Sequence, residues 1–483
     1  MGYFLPKDKM KKLTALILFT TTCSPVFADT IKRAEENIKS ATPEMPVIIP
    51  QEKTTQDVSI VLERLKKDQS TTEELLNIAI ARQDINLINQ LLPIYQGFKQ
   101  QDSILLQLAQ ALQAKLTGEY TKAISIYRNI IANHPEFNPI RLELAIALFE
   151  DQQNEAAESL FRQVRSDENL PPLVQKQVDA YLKAIEQRNG WNISASAYYI
   201  RDKNIYKQSS SPTFDSVQLK GLKKKKEMLP QKAEGFGYAV NIGRDLNIKN
   251  SHYLTVENNL YGKLFWNERE ADETTNRISL GYAYKDALQT FRISPFYELG
   301  WYGGKRHNKV SGARIDYRHW LNSQWQLSNA LEYGKNRYIL NKELNGSTVF
   351  LSSTLFWQQN PRQFFYAGVD VNNTTADEKS KGFLTKSLRL GWGRVWSWGI
   401  SSRLHLSFSE MKYKDQAKYS YLSLGKTRKD RIYYTGLTLW KQDWHLWNIT
   451  PKLQLTWRKR KSNLPDLYSY QEKNVNVIFE KTF

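Results

Sequence analysis

The feature that most constrains the fold is an alternation of apolar and polar residues running from residue 190 to the C-terminus. Trp325, Leu327, Leu331 and Tyr333 alternate with Gln326, Ser328, Ala330 and Glu332, and Phe365, Ala367, Val369 and Val371 alternate with Tyr366, Gly368, Asp370 and Asn372. Leu404, Leu406 and Phe408, and again Leu453, Leu455 and Trp457, repeat the pattern. A period of two belongs to strands with one apolar face. A soluble sandwich would show it too, so the connections must decide. Strand-like segments fall near 191–200, 235–243, 252–262, 276–285, 290–301, 307–320, 325–335, 346–358, 361–372, 383–394, 398–411, 429–441, 444–458 and 468–483, fourteen in all. Connections after odd-numbered segments are mostly long and polar (201–234, 263–275, 336–345, 373–382, 412–428, 459–467), and those after even-numbered ones are short (286–289, 321–324, 359–360, 395–397, 442–443). Long outer loops alternating with tight periplasmic turns are the signature of a bacterial outer-membrane barrel.

The aromatic residues orient that barrel. All 13 tryptophans lie at or beyond Trp191. Trp320, Trp325, Trp357, Trp396, Trp398, Trp440 and Trp444 gather at the short-turn end, where an indole girdle at the inner membrane interface belongs. At the C-terminus, Val475, Val477, Phe479 and Phe483 share one face, with Lys481 interrupting the set. This is the form of the terminal-strand signal that barrel-assembly machinery reads. A 14-stranded antiparallel transmembrane β-barrel over 190–483 is expected. It is wide enough for a lumen.

The N-terminus has another character. Lys11-Lys12, an apolar run from Leu13 to Phe19 and Val26-Phe27-Ala28 make a secretory signal peptide over 1–28, cleaved after Ala28. Cys23, the only cysteine, follows Thr22 rather than the small residue a lipidation site requires, so the mature chain is expected to lack cysteine. Residues 29–56, with Pro43, Pro46 and Pro50, read as a flexible tether.

Residues 57–189 read as an all-α domain of periplasmic tetratricopeptide-like repeats. Gly118-Glu119 makes a turn, Ala123 allows two helices to approach, Tyr127 packs between them and Pro135 stops the second. Thirty-four residues on, Ala157, Phe161 and Val164 take the places of Ala123, Tyr127 and Ile130, while Gln152 replaces the turn glycine. A degenerate pair fits 72–96, and 173–188 would cap the stack. Such stacks bind segments of other proteins on the concave face. Leu105, Leu108, Leu112, Leu116, Leu142, Ile146 and Phe149 are the candidates to line it, or else to pack between repeats.

The formal charge is +19, and loss of the four lysines and one aspartate of residues 1–28 leaves +16. No nucleic-acid motif accompanies that balance, so it points to a polar lumen and to loops facing lipopolysaccharide or an acidic partner. The run Lys223-Lys224-Lys225-Lys226 lies in the first outer loop. The six histidines show no metal-ligand spacing, and no phosphate loop or catalytic set is evident, so neither metal, cofactor nor enzymatic activity is expected.

Two stretches resemble the surface lipoprotein assembly modulators, or Slam proteins. One runs from Leu170-Pro171-Pro172-Leu173-Val174 through Tyr181-Leu182-Lys183-Ala184-Ile185 and Trp191 to Tyr198-Tyr199-Ile200-Arg201-Asp202-Lys203-Asn204-Ile205. The other comprises Pro451-Lys452-Leu453, Trp457-Arg458-Lys459-Arg460-Lys461-Ser462-Asn463, Tyr468-Ser469-Tyr470, Asn474-Val475 and Phe479 to Phe483. Asn204-Ile205-Tyr206 departs from the family, where a second asparagine is expected. The resemblance implies an outer-membrane translocon for client proteins, either surface lipoproteins or secreted haemophore-like metal-acquisition proteins, with the repeats engaging clients in the periplasm. A polysaccharide exporter, which also joins repeats to a barrel, is the alternative, and a passive porin would need no repeat domain.

Overall fold

A computed structural model of the chain describes residues 65–135, 137–167, 170–215, 220–419, 422–441 and 443–483. The expected signal peptide, its cleavage site after Ala28 and the tether lie outside the described residues.

Among the described residues, seven helices come first: α1 (Gln69–Ala81), α2 (Ile85–Tyr95), α3 (Ser103–Leu116), α4 (Tyr120–Asn133), α5 (Asn138–Glu150), α6 (Asn154–Arg165) and α7 (Pro172–Asn189). Asp68, Asp84 and Asp102 cap α1, α2 and α3 by accepting from first-turn amides, which satisfies donors that a helix leaves unpaired. The tight turn within each pair needs one left-handed residue. Gln83, Gly118 and Gln152 fill that position at φ 53°, 85° and 59°, so the missing glycine of the later repeat is replaced by a strained glutamine. The residues expected to hold the pairs together do so: Ala123, Ala157, Phe161 and Val164 are fully buried and Tyr127 nearly so, in one cluster with Ala111 and Ala145. Pro172 opens α7, where its missing N–H costs no helical bond.

Fourteen antiparallel strands then close a barrel in sequence order: β1 (Asn192–Asp202), β2 (Ala233–Lys249), β3 (His252–Phe265), β4 (Glu273–Lys285), β5 (Gln289–Tyr302), β6 (Lys305–Trp320), β7 (Trp325–Tyr338), β8 (Gly346–Asn360), β9 (Gln363–Thr374), β10 (Phe383–Val395), β11 (Ile400–Tyr419), β12 (Leu422–Lys441), β13 (Ile449–Ser462) and β14 (Tyr470–Thr482). The outward face is apolar. Leu280, Leu351, Val369, Leu388 and Leu453 are exposed on successive parts of the wall, as a lipid-facing band requires. Trp325 stacks on Trp357, which stacks on Phe365, across three strands at the short-turn end. Close strand approach is bought by glycine: a Cβ on Gly391 or Gly393 would collide with the rings of Tyr366 or Phe364.

Two connections differ from expectation. Most of the stretch expected as an outer loop, residues 412–419 and 422–428, instead extends β11 and β12, each 20 residues long. Polar outward positions had hidden the strands. Ala417 and Leu424 are buried there against Phe214 from the first outer loop and against Leu464, Leu467 and Tyr468 around the short helix α8 (Pro465–Tyr468). That satellite core lets pairing continue past the bilayer. Conversely, β13 begins at Ile449 rather than near 444, because Trp447 and Asn448 take left-handed φ values of 53° and 62° and turn the chain.

Candidate functional site

The helical stack sits on one side of the periplasmic rim, against the β2–β3 and β4–β5 turns. Asn189 ends α7, and its carbonyl accepts from Arg244 Nε at 2.8 Å. At the start of α6, the amide of Glu155 donates to Asn247 Oδ1 at 2.8 Å. The hydroxyl of buried Tyr253 donates to the carbonyl of Gln152, and Asp151 accepts from the amide of Ala287 at 3.3 Å. Leu288 lies against the repeat turn, 3.8 Å from where a Cβ on Gly118 would stand. The left-handed repeat turns are therefore also docking elements. Burial at this junction raises the carboxyls of Glu150 and Asp151 above their ordinary range, since the charged form is the one that desolvation penalises.

The leucine-rich face expected to engage clients is less open than its spacing suggests. Leu105 and Leu112 are buried against α1 and α2, and Ile146 is buried in the cluster with Tyr127 and Phe161. Those three pack repeats together instead of lining an open groove. Leu108 and Leu142 are half-buried, and Leu116 is exposed. Phe149 lies under Arg188, 3.7 Å from ring to guanidinium, and edge-on to Tyr181. What the sequence did not display is the charge across α3, α5 and α7. Lys115 Nζ meets Glu143 Oε2 at 3.1 Å, and Glu150 lies close enough to Lys115 and Arg188 to feel both charges. The signal was present in the first helix of each pair, but long polar side chains lying along apolar surface read as a solvated face.

Inside the barrel, cross-strand ion pairs line the wall. Arg277 on β4 meets Glu298 on β5 at 2.8 Å and Glu332 on β7 at 3.1 Å, and Arg314 on β6 meets Glu332 and Asp316. Arg389 on β10 lies flat against β9 and β8, with Nε 2.6 Å from Asp370 Oδ2 and Nη2 2.8 Å from Asp370 Oδ1. The same nitrogen donates to Ser352 and Thr354, each at 2.9 Å. Nearer the outer end, Arg428 and Arg460 flank Asp430, both at 2.9 Å. Both charge signs are thus represented on the inward face. Among the described residues there is no group of His, Cys, Asp and Glu arranged to hold a metal.

At the C-terminus, Val475, Val477, Phe479 and Phe483 are all exposed on the outer face, as their shared parity required.

The comparisons with known proteins agree across both halves. Residues 191–483 match the family model described as "Surface lipoprotein assembly modifier", and residues 58–161 match "Surface lipoprotein assembly modifier, N-terminal TPR repeats". The chain belongs to the surface lipoprotein assembly modifier family. Surface lipoprotein assembly modifier 1 of Haemophilus influenzae is 31% identical over 93% of each chain. The surface lipoprotein assembly modifier of Pasteurella multocida is 30% identical over 99% of this chain and 98% of its own. A hemophilin secretion modulator of Acinetobacter baumannii is 24% identical over 80% of this chain and 81% of its own. This family member is an outer-membrane β-barrel with a repeat domain at its periplasmic rim, and it belongs with factors of surface assembly and secretion.

Proposed function

We propose that this protein is a non-enzymatic translocon that moves specific client proteins from the periplasm across the outer membrane. The clients are surface lipoproteins or secreted, haemophore-like metal-acquisition proteins, in line with the names of its relatives. The observation that carries the reading is the docking of a protein-binding repeat stack on the periplasmic rim of a membrane barrel, through Asn189, Glu155, Gln152 and Asp151. A client held on the stack is thereby placed beside the lumen mouth, which raises its effective concentration there. The surface offered to it comprises Leu108, Leu116 and Leu142 with the charged side chains of Glu143 and Arg188, Glu143 being held by buried Lys115. Barrel-assembly machinery is the partner for the β14 signal, and lipopolysaccharide for the cationic outer loops. A polysaccharide exporter would favour a pore lined by one charge sign, and the mixed pairs around Glu332, Asp370 and Asp430 speak against it.

Deletion of the gene, followed by protease shaving of intact cells and mass spectrometry of the medium, tests the reading. A small set of lipoproteins or secreted proteins should lose surface display, and the full chain should restore it. Unchanged display and secretion of every such protein would overturn the proposal.

A further inference from the structure

The barrel does not close evenly. The β1–β14 ladder has five register pairs, from Ser194↔Thr482 to Tyr198↔Ile478, and it stops halfway up both strands. Every other ladder has at least eleven pairs. Among the strands of the described residues, β1 above Tyr198 continues to Asp202 in register with β2, and β14 continues up to Tyr470 in register with β13, with no β1–β14 register pair between them. A barrel in lipid normally satisfies its backbone by complete closure, so a half-zipped seam is an exception that something else must hold. The first outer loop supplies that hold. Lys207 Nζ lies 2.8 Å from Asp202 Oδ2 at the top of β1 and 2.5 Å from Glu472 Oε1 on β14. All three side chains are largely buried, and Lys207 takes the left-handed φ of 56°. The two carboxylates hold its ammonium above the ordinary range despite burial.

We propose that the outer half of the β1–β14 seam is a gated strand edge, latched at rest by Lys207, onto which an extended segment of an exported polypeptide adds as a transient strand. This rests on the exporter reading above. The chemistry selects the occupant. A row of backbone donors and acceptors is complemented by another extended peptide, whereas an acyl chain would satisfy none of them. Side chains at that height fix the pattern of the incoming strand. Tyr199, Val475 and Val477 face outward and are exposed, while Asn474 and Asn476 alternate with them. A segment apolar on one face and polar on the other fits.

Two arms test the proposal. Cysteines placed at Tyr199 and Val477, the first opposed positions beyond the last register pair Tyr198↔Ile478, in the full chain with Cys23 replaced, should form a disulfide that keeps the outer half of the seam shut. Proteins whose display falls on gene deletion should then lose at least ten-fold in export when the pair is oxidised and recover on reduction. Export at the parental level through a fully oxidised seam would overturn the proposal. In the second arm, the full chain in phosphatidylethanolamine and phosphatidylglycerol vesicles carries a photo-crosslinking residue at Asn476, and the probe is a biotinylated peptide with the β1 sequence, residues 192–202. Lys207→Met should raise the peptide adduct several-fold over the parent latch. An adduct no stronger than from Thr354, on the far wall, would overturn it. If deletion alters no protein's display, the exporter reading falls, and the peptide arm still decides whether the edge accepts a strand.

Discussion

Neutralising Asp370 should cost the barrel more than any single polar change at its surface. Arg389 is 1% exposed and Asp370 is 3% exposed, with two short hydrogen bonds between them. Asp370→Asn keeps the shape and removes the charge, leaving a guanidinium whose remaining partners, the hydroxyls of Ser352 and Thr354, cannot neutralise it. Breaking one side of a buried pair costs about 3–5 kcal/mol, which is roughly a hundred- to a few-thousand-fold in the folded-to-unfolded ratio. Replacing both partners removes the stranded charge, so Arg389→Met with Asp370→Asn should recover most of that loss. Urea unfolding in detergent micelles, followed by tryptophan fluorescence and heat-modifiable migration, reads Asp370→Asn, Arg389→Met and the double variant. A parental midpoint for Asp370→Asn, or a double variant whose loss equals the sum of the singles, would refute the reasoning, because it would mean that lumen water already neutralises the pair.

Other expectations are more local. Phe161→Ala removes a fully buried ring stacked on Tyr181 at a centroid distance of 4.9 Å, and should destabilise the helical domain by about 3–5 kcal/mol. Circular dichroism at the helical band would show the loss while heat-modifiable migration of the barrel stays unchanged. Arg244→Ala with Asn247→Ala removes two docking bonds, each contributing about 1 kcal/mol, and should increase deuterium exchange at the start of α6 and the end of α7; unchanged exchange would mean that the docking does not depend on them. Glu150 and Asp151 have raised carboxyls because of burial, so the folded state holds their protons more tightly than the unfolded chain does. Helical stability should therefore rise as pH falls from neutral toward their ordinary values of 4.5 and 3.8, then level off, and Glu150→Gln should flatten the trend in thermal melts.

How much of this the sequence displayed depends on what each signal reports. Strand parity reports which side of a wall a residue occupies, so the outward placement of Val475, Val477 and Phe479 and the inward placement of Asp370 were legible. Strand ends were less so. Pairing of β11 and β12 above the bilayer depends on Phe214 and Tyr468, which come from distant parts of the chain. In the repeats, Ala123, Tyr127, Ala157 and Phe161 could be recognised because their sizes are set by neighbours 34 residues apart in a repeating unit. Leu105, Leu112 and Ile146 could not be assigned between groove and core, since both need an apolar residue at the same helical spacing. The ion pairs that join β4 to β7, and Lys207 to both β1 and β14, were invisible. They link residues by closure of the barrel, and no local period encodes that.

The distribution of charge bears on how the barrel works at rest. The excess of cationic residues implied by +19 is not carried by the wall pairs, where Arg277, Arg314 and Arg389 each meet a carboxylate. A single-sign lining would repel itself and hold the lumen open to ions. Paired signs instead cross-link strands: Glu332 alone ties β7 to β4 and to β6. Passage of a polypeptide down the centre must leave those pairs intact or break several together. A seam with five register pairs and one latch is the place where the wall resists least. Weakening the wall pairs and weakening the latch should therefore have opposite consequences. Asp370→Asn should lower barrel stability without favouring strand addition, whereas Lys207→Met should favour strand addition at β14 with the lower five pairs still formed. Equal peptide adducts at Asn476 in the two variants would show that the seam responds to general loosening of the barrel and not to its latch.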